Sequence, residues 1–111
     1  MAIKILVNGE AQDTVSFYDR GLHYGDGLFE TIAVHKNTPL CLEEHLSRLE
    51  LGCEKLKLPK PQLSTIKDEI ATLVGSHQHA VIKIILTRGQ GGRGYVLPET
   101  IQPNRIVALY T

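Results

Sequence analysis

Apolar and polar positions along the chain follow two different periods. Ile3, Ile5, Leu6 and Val7 make a β-branched or aliphatic run broken only by Lys4, and the Asn8-Gly9 that follows is a strong two-residue hairpin signal. A short partner strand is predicted near Ala11 to Val15. A second hairpin is predicted from Leu28–Val34 and Pro39–Leu42 around His35-Lys36-Asn37-Thr38, with Asn37 accepting the turn geometry. From Glu43 the period lengthens. Leu42, Leu46, Leu49, Cys53 and Leu56 recur at spacings of four, three, four and three, one face of a helix. Glu43 and Glu44 at its start, and Lys55 and Lys57 at its end, suit the helix dipole, and Pro59 stops it. Leu63, Ile66, Ile70, Leu73 and Val74 give a second stripe, opened by Pro61 or Ser64 and closed by Gly75. A buried strand from Ala80 to Thr87, a glycine-rich loop and a last strand from Arg105 to Tyr110 complete the pattern. The order predicts an α+β domain: a mainly antiparallel sheet with two helices packed on one face.

Composition narrows the function classes. A chain of 111 residues suits one domain with a modest core. Twelve basic residues balance twelve acidic ones, which leaves no electrostatic footprint for nucleic acid or an anionic membrane. No apolar run approaches a membrane span, and the N-terminus lacks the pattern of a signal peptide. Cys41 and Cys53 have neither CxxC spacing nor a companion histidine pair, so neither zinc nor a disulfide framework is expected. The expectation is a reduced, soluble, cytoplasmic protein. The chain stops at Thr111 inside an apolar strand, so further protein is expected to follow it.

Three segments carry candidate chemistry. The first runs from Asp19 to Thr31 and places Gly21, Gly25 and Gly27 between a polar run and an apolar strand, a turn shaped for close approach. Tyr24, Asp26, Phe29 and Thr31 surround it, while Asp19 and Arg20 read as a turn-fixing ion pair. The second is Glu44-His45-Leu46-Ser47-Arg48-Leu49. Arg48 lies off the centre of the apolar stripe, where a guanidinium either snorkels over the core or grips a phosphate by paired hydrogen bonds. His45, nearly a turn earlier, either buttresses Arg48 or is structural. The third is Thr87-Arg88-Gly89-Gln90-Gly91-Gly92-Arg93-Gly94-Tyr95, four glycines in six residues beside two arginines. It is either a mobile surface loop or a cradle of backbone amides for an anion.

Other residues are set aside. Lys83 sits in an apolar strand and has the makings of a depressed-pKa amine, but a lysine at a sheet edge is the expected role. His77 and His79 lack a third ligand, so no metal site is expected.

Taken together the three segments resemble those of the fold-type IV pyridoxal-phosphate enzymes, which include branched-chain and D-amino-acid aminotransferases and aminodeoxychorismate lyases. The Thr-Arg-Gly-Gln-Gly-Gly-Arg-Gly-Tyr loop is similar to that of the lyases in particular. The resemblance implies that Arg48 binds the cofactor phosphate, that Phe29 and Thr31 wall the substrate pocket, and that Arg88 or Arg93 pairs a substrate carboxylate. It implies a homodimer, with the loop lining the partner's site. Only the smaller, N-terminal domain is matched, over 1–111. The Schiff-base lysine and the acidic partner of the pyridine nitrogen belong to a C-terminal domain outside this chain, so no catalytic residue is assigned here and the chain alone is expected to be inactive. The implied reaction of the complete enzyme converts 4-amino-4-deoxychorismate to 4-aminobenzoate and pyruvate in folate biosynthesis. The alternatives are the small domain of a D-amino-acid or branched-chain aminotransferase, or a non-catalytic binding or interaction domain. For an RNA-binding module the aromatic residues are too scattered.

Overall fold

The computed structural model describes residues 1–94 and 96–111. Strand β1 (Ala2–Val7) turns through Asn8 and Gly9, at φ of 52° and 84°, into the two-residue strand β2 (Glu10–Ala11). Of the partner strand predicted near Ala11 to Val15, only Ala11 lies in a strand. Helix α1 (Arg20–Tyr24) leads into strand β3 (Gly27–His35), which turns at Lys36-Asn37 into β4 (Thr38–Pro39). Helix α2 (Leu42–Leu56) and helix α3 (Leu63–Val74) follow, then strands β5 (His79–Thr87) and β6 (Asn104–Tyr110).

The sheet has six strands in the order β2-β1-β6-β5-β3-β4, and every pairing is antiparallel. Because side chains alternate across a strand, Ile32, Val34, Ile82, Ile84, Val107 and Leu109 face one side. There they meet Leu46, Leu49 and Cys53 of α2 and Ile66, Ile70 and Leu73 of α3 in one core. Burying each such aliphatic side chain contributes about 1.5–3 kcal/mol. Arg105 of β6 donates to both carboxylate oxygens of Glu69 at 2.7 and 2.9 Å, tying α3 to the sheet.

The α+β architecture follows the sequence pattern, with one addition. Helix α1 is a third helix, lying in the segment read as a glycine turn. Five residues holding one glycine give no apolar period to detect. Its start is set by Asp19, whose carboxylate accepts from the Gly21 amide at 2.7 Å, and its end by Gly25 at φ 62°.

Lys83 also departs from its expected place. Strand β5 lies between β3 and β6, so Lys83 is on an interior strand, on the face away from the helices. Its ammonium sits 4.8 Å from the centre of the Phe29 ring. Among the described residues no helix is long and apolar enough to cross a membrane.

Candidate functional site

Four places in the fold hold the residues singled out above. The first is Arg48, projecting from α2 with its side chain 69% exposed. Beneath it lies Glu30, on the inward face of β3 in phase with Ile32 and Val34 and only 4% exposed. Arg48 donates from Nε and Nη2 to Glu30 Oε1 at 3.1 and 2.8 Å, and from Nε to Oε2 at 2.9 Å. His45 Nδ1 donates to Glu30 Oε1 at 2.7 Å. Burial pushes the Glu30 carboxyl up, but the bonds from Arg48 and His45 outweigh it and hold the group below its ordinary value. The hydrogen bonds to Glu30 in turn raise Arg48. The guanidinium is thus fixed on one edge, while Nη1 has no hydrogen bond to a described residue. An exposed, oriented cation of this kind suits a phosphate group.

The second place is buried. Arg88 is 3% exposed, although it opens a glycine-rich loop. Its Nε donates to Asp26 Oδ2 at 2.8 Å, and its Nη2 and Nη1 to the carbonyls of Leu56 and Lys57 at the end of α2, at 2.8 and 3.4 Å. Arg20 Nε reaches the same Asp26 oxygen at 2.9 Å. Asp26 feels desolvation, which raises it, but the two arginines prevail and hold it below the usual carboxylate range. The Asp19–Arg20 ion pair expected from the sequence is replaced by this arrangement: Arg20 pairs with Asp26, while Asp19 accepts from Thr87 Oγ1 at 2.7 Å and Asn104 Nδ2 at 2.6 Å.

The third place is a cleft of about 780 Å³ lined by Phe17, Tyr18, His23 and Tyr24 on one side and by Gly91 to Arg93 on the other. Arg93 is exposed here, and among the described residues its side chain has no ion-pair partner. Tyr95, the last residue of the loop motif, lies outside the described residues.

The fourth is the open face of the sheet. Phe29, 61% exposed, borders an apolar groove of about 420 Å³ with Leu22, Ile85 and Ile106, and Thr31 is exposed on the same face of β3. Helix α1 separates this groove from the aromatic cleft, contributing Gly21 and Leu22 to one and Arg20, His23 and Tyr24 to the other. Phe29 and Thr31 flank Glu30 in sequence and point to the opposite side of β3.

Sequence reasoning passed over Glu30 and gave Asp26 no partner. A signal for Glu30 was present: a carboxylate in phase with Ile32 and Val34 points into the core and must find a cation. Among the described residues no cluster of three His, Cys, Asp or Glu side chains offers a metal site.

The chain is similar to known proteins over most of its length. The model of the family described as Amino-transferase class IV matches residues 27–111. An aminodeoxychorismate lyase from Vibrio harveyi is 38% identical over 89 residues, covering 80% of this chain and 33% of the lyase. A putative branched-chain-amino-acid aminotransferase from Methanocaldococcus jannaschii is 35% identical, covering 83% of this chain and 34% of that protein. The crystal structure of 4-amino-4-deoxychorismate lyase from Pseudomonas aeruginosa superposes with a TM-score of 0.82 at 44% identity, covering 93% of this chain and 38% of that one. The chain spans roughly a third of the length of these relatives. With the fold and the β3 to β6 segment both matched, the chain belongs to the amino-transferase class IV family.

Proposed function

We propose that this chain is the small, N-terminal domain of a pyridoxal-phosphate-dependent 4-amino-4-deoxychorismate lyase. The observation that carries the reading is the cleft beside the glycine-rich loop, where Arg93 stands exposed against Phe17, Tyr18, His23 and Tyr24. A substrate that is a six-membered ring bearing carboxylates needs both features: flat apolar walls for the ring and a guanidinium for the anion. Between the two arginines of the loop, Arg93 takes the carboxylate role, since Arg88 spends its donors on Asp26 and the end of α2.

The residues present fit the cofactor. Arg48, oriented by Glu30 and open to solvent, would hold its phosphate. Bound pyridoxal phosphate supplies an electron sink conjugated to the substrate amine. Phe29 and Thr31, across α1 from the cleft, would wall the substrate pocket of their own subunit, while the cleft with Arg93 would serve the partner's. Loss of the ring proton and of the enolpyruvyl group gives 4-aminobenzoate, and the released enol becomes pyruvate on taking up a proton. The lysine that moves the proton lies in a C-terminal domain beyond this chain, so residues 1–111 alone are inactive.

The exposed Val96 and Leu97 are apolar surface for the partner subunit of a homodimer, and the groove at Phe29 faces the C-terminal domain. The class is a soluble cytoplasmic enzyme of folate biosynthesis acting on a small molecule.

The test is to give the full-length enzyme 4-amino-4-deoxychorismate without any keto acid. A lyase releases pyruvate with 4-aminobenzoate. No pyruvate in that assay, with amino-group transfer appearing once an amino acid and a keto acid are supplied, would move the protein to the aminotransferases, as for relatives such as the Methanocaldococcus jannaschii protein.

A further inference from the structure

Arg20 is 4% exposed and lies behind the aromatic cleft rather than at its mouth. All of its nitrogens are engaged. Nε binds Asp26, Nη2 donates to the Gly94 carbonyl at 2.7 Å, and Nη1 approaches the Gly91 carbonyl at 3.5 Å. Its backbone amide donates to the Gly89 carbonyl at 2.8 Å. Three carbonyls of the glycine-rich loop therefore converge on one residue, and two of them flank Arg93. The guanidinium also stacks 4.6 Å from the centre of the Tyr24 ring, whose hydroxyl accepts from the Gly94 amide at 3.0 Å.

Elsewhere the loop is held by reciprocal Arg93–Val96 backbone bonds at 2.9 Å, a bond from the Gly89 amide to Thr87 Oγ1 at 3.0 Å and a bridge between Asp19 and Gln90, and the carbonyls of Gly91 and Gly94 are left to Arg20. Gly89, Gly91, Gly92 and Gly94 all adopt positive φ, and a chain this rich in glycine has many alternative conformations to lose. A planar fork that is itself pinned by Asp26 removes them at a single point. Asp26 serves two arginines, so the cluster holds one surplus positive charge, and the loop and helix-end carbonyls face that charge.

We propose that Arg20 is a positioning residue for Arg93: it fixes the backbone on both sides of Arg93 and so sets where the exposed guanidinium stands in the cleft. The inference rests on the reading of the cleft as the substrate site, and it concerns how that site is held in shape. Arg20 touches no substrate. Its contribution reaches the carboxylate through the loop.

The experiment uses the full-length enzyme with Arg20→Lys, which keeps the charge and loses the fork. Expected is a KM for 4-amino-4-deoxychorismate raised about tenfold with kcat within about twofold, and no further rise when Arg20→Lys is added to Arg93→Ala. Equal losses in both backgrounds would mean that Arg20 acts on the fold alone and would overturn the proposal. A readout free of substrate accompanies it: the rate of tryptic cleavage after Arg93. That rate, measured well below the melting temperature of each protein, should rise about tenfold in Arg20→Lys, and also rise in Tyr24→Phe, which frees the Gly94 amide without disturbing the buried ion pairs. If full-length enzyme is inert toward aminodeoxychorismate, the lyase reading fails while the cleavage rates still decide the role of Arg20. Cleavage unchanged in both variants sinks the proposal.

Discussion

Glu30 holds Arg48 by the Nε–Nη2 edge from inside the sheet, a buried carboxylate on β3 orienting an exposed guanidinium on α2. The pair spans the boundary between core and solvent. Its carboxylate end is fixed by packing, so the cationic end points in a set direction before any anion arrives.

Arg48→Lys in the full-length enzyme should therefore weaken pyridoxal-phosphate binding by about 10- to 100-fold, the worth of one charge-assisted hydrogen bond. Glu30→Gln, which leaves Arg48 charged but less firmly held, should weaken it by about tenfold or less. Absorbance titration of the apoenzyme with the cofactor reads both. Equal affinity in wild type and Arg48→Lys would remove the phosphate role.

Asp26→Ala should cost about 3–5 kcal/mol in chemical denaturation, because it strands two guanidiniums whose side chains are 5% and 4% exposed. Lys67→Ala makes a control. It breaks an ion pair with Glu43 whose side chains are 43% and 70% exposed, and should cost under about 1 kcal/mol.

Acid should destabilise the protein through the same carboxylates. Asp26 and Glu30 both titrate below their ordinary values of 3.8 and 4.5 in the folded state. The unfolded chain thus takes up protons first as pH falls, and the stability these groups add is present above the ordinary values and lost through the lower folded ones. Denaturation midpoints should stay level down to about pH 5 and decline steadily below it, with a shallower decline in Glu30→Gln.

Two glycines in the first motif should respond differently to alanine. A Cβ at Gly27 would collide with the Leu86 carbonyl oxygen of the neighbouring strand, so Gly27→Ala must displace backbone. It should cost about 2–3 kcal/mol, as overpacking does. Gly25 has φ 62° and open space around it, so Gly25→Ala meets only the left-handed penalty of about 1–2 kcal/mol. Thermal melts of the two variants would show the order.

The period of the apolar residues was enough to place α2, α3, β5 and β6 within a residue or two, since each buries one face against a shared core. The two hairpin turns were equally legible: Asn8-Gly9 and Lys36-Asn37 are the residues found at positive φ. What escaped was everything decided by partners distant in sequence. Arg88 opens a loop that reads as mobile surface or an anion cradle, yet Asp26, 62 residues away, draws it inward. Glu30 was passed over because its partners, His45 and Arg48, come from a helix 15 and 18 residues later. Helix α1 was hidden because capping by Asp19, rather than a repeating stripe, defines it.

The strand order has a consequence for how the domain is made. Strand β6 is the last in sequence but lies between β1 and β5. Until residues 104–110 leave the ribosome, β1 has only the two-residue β2 to pair with, and the β3–β5 pair presents an unsatisfied edge. The sheet therefore closes only when β6 joins its two halves, a long-range pairing that slows folding relative to a domain of local contacts. A nascent chain stalled before Asn104 would expose two open edges, and both would be substrates for a chaperone.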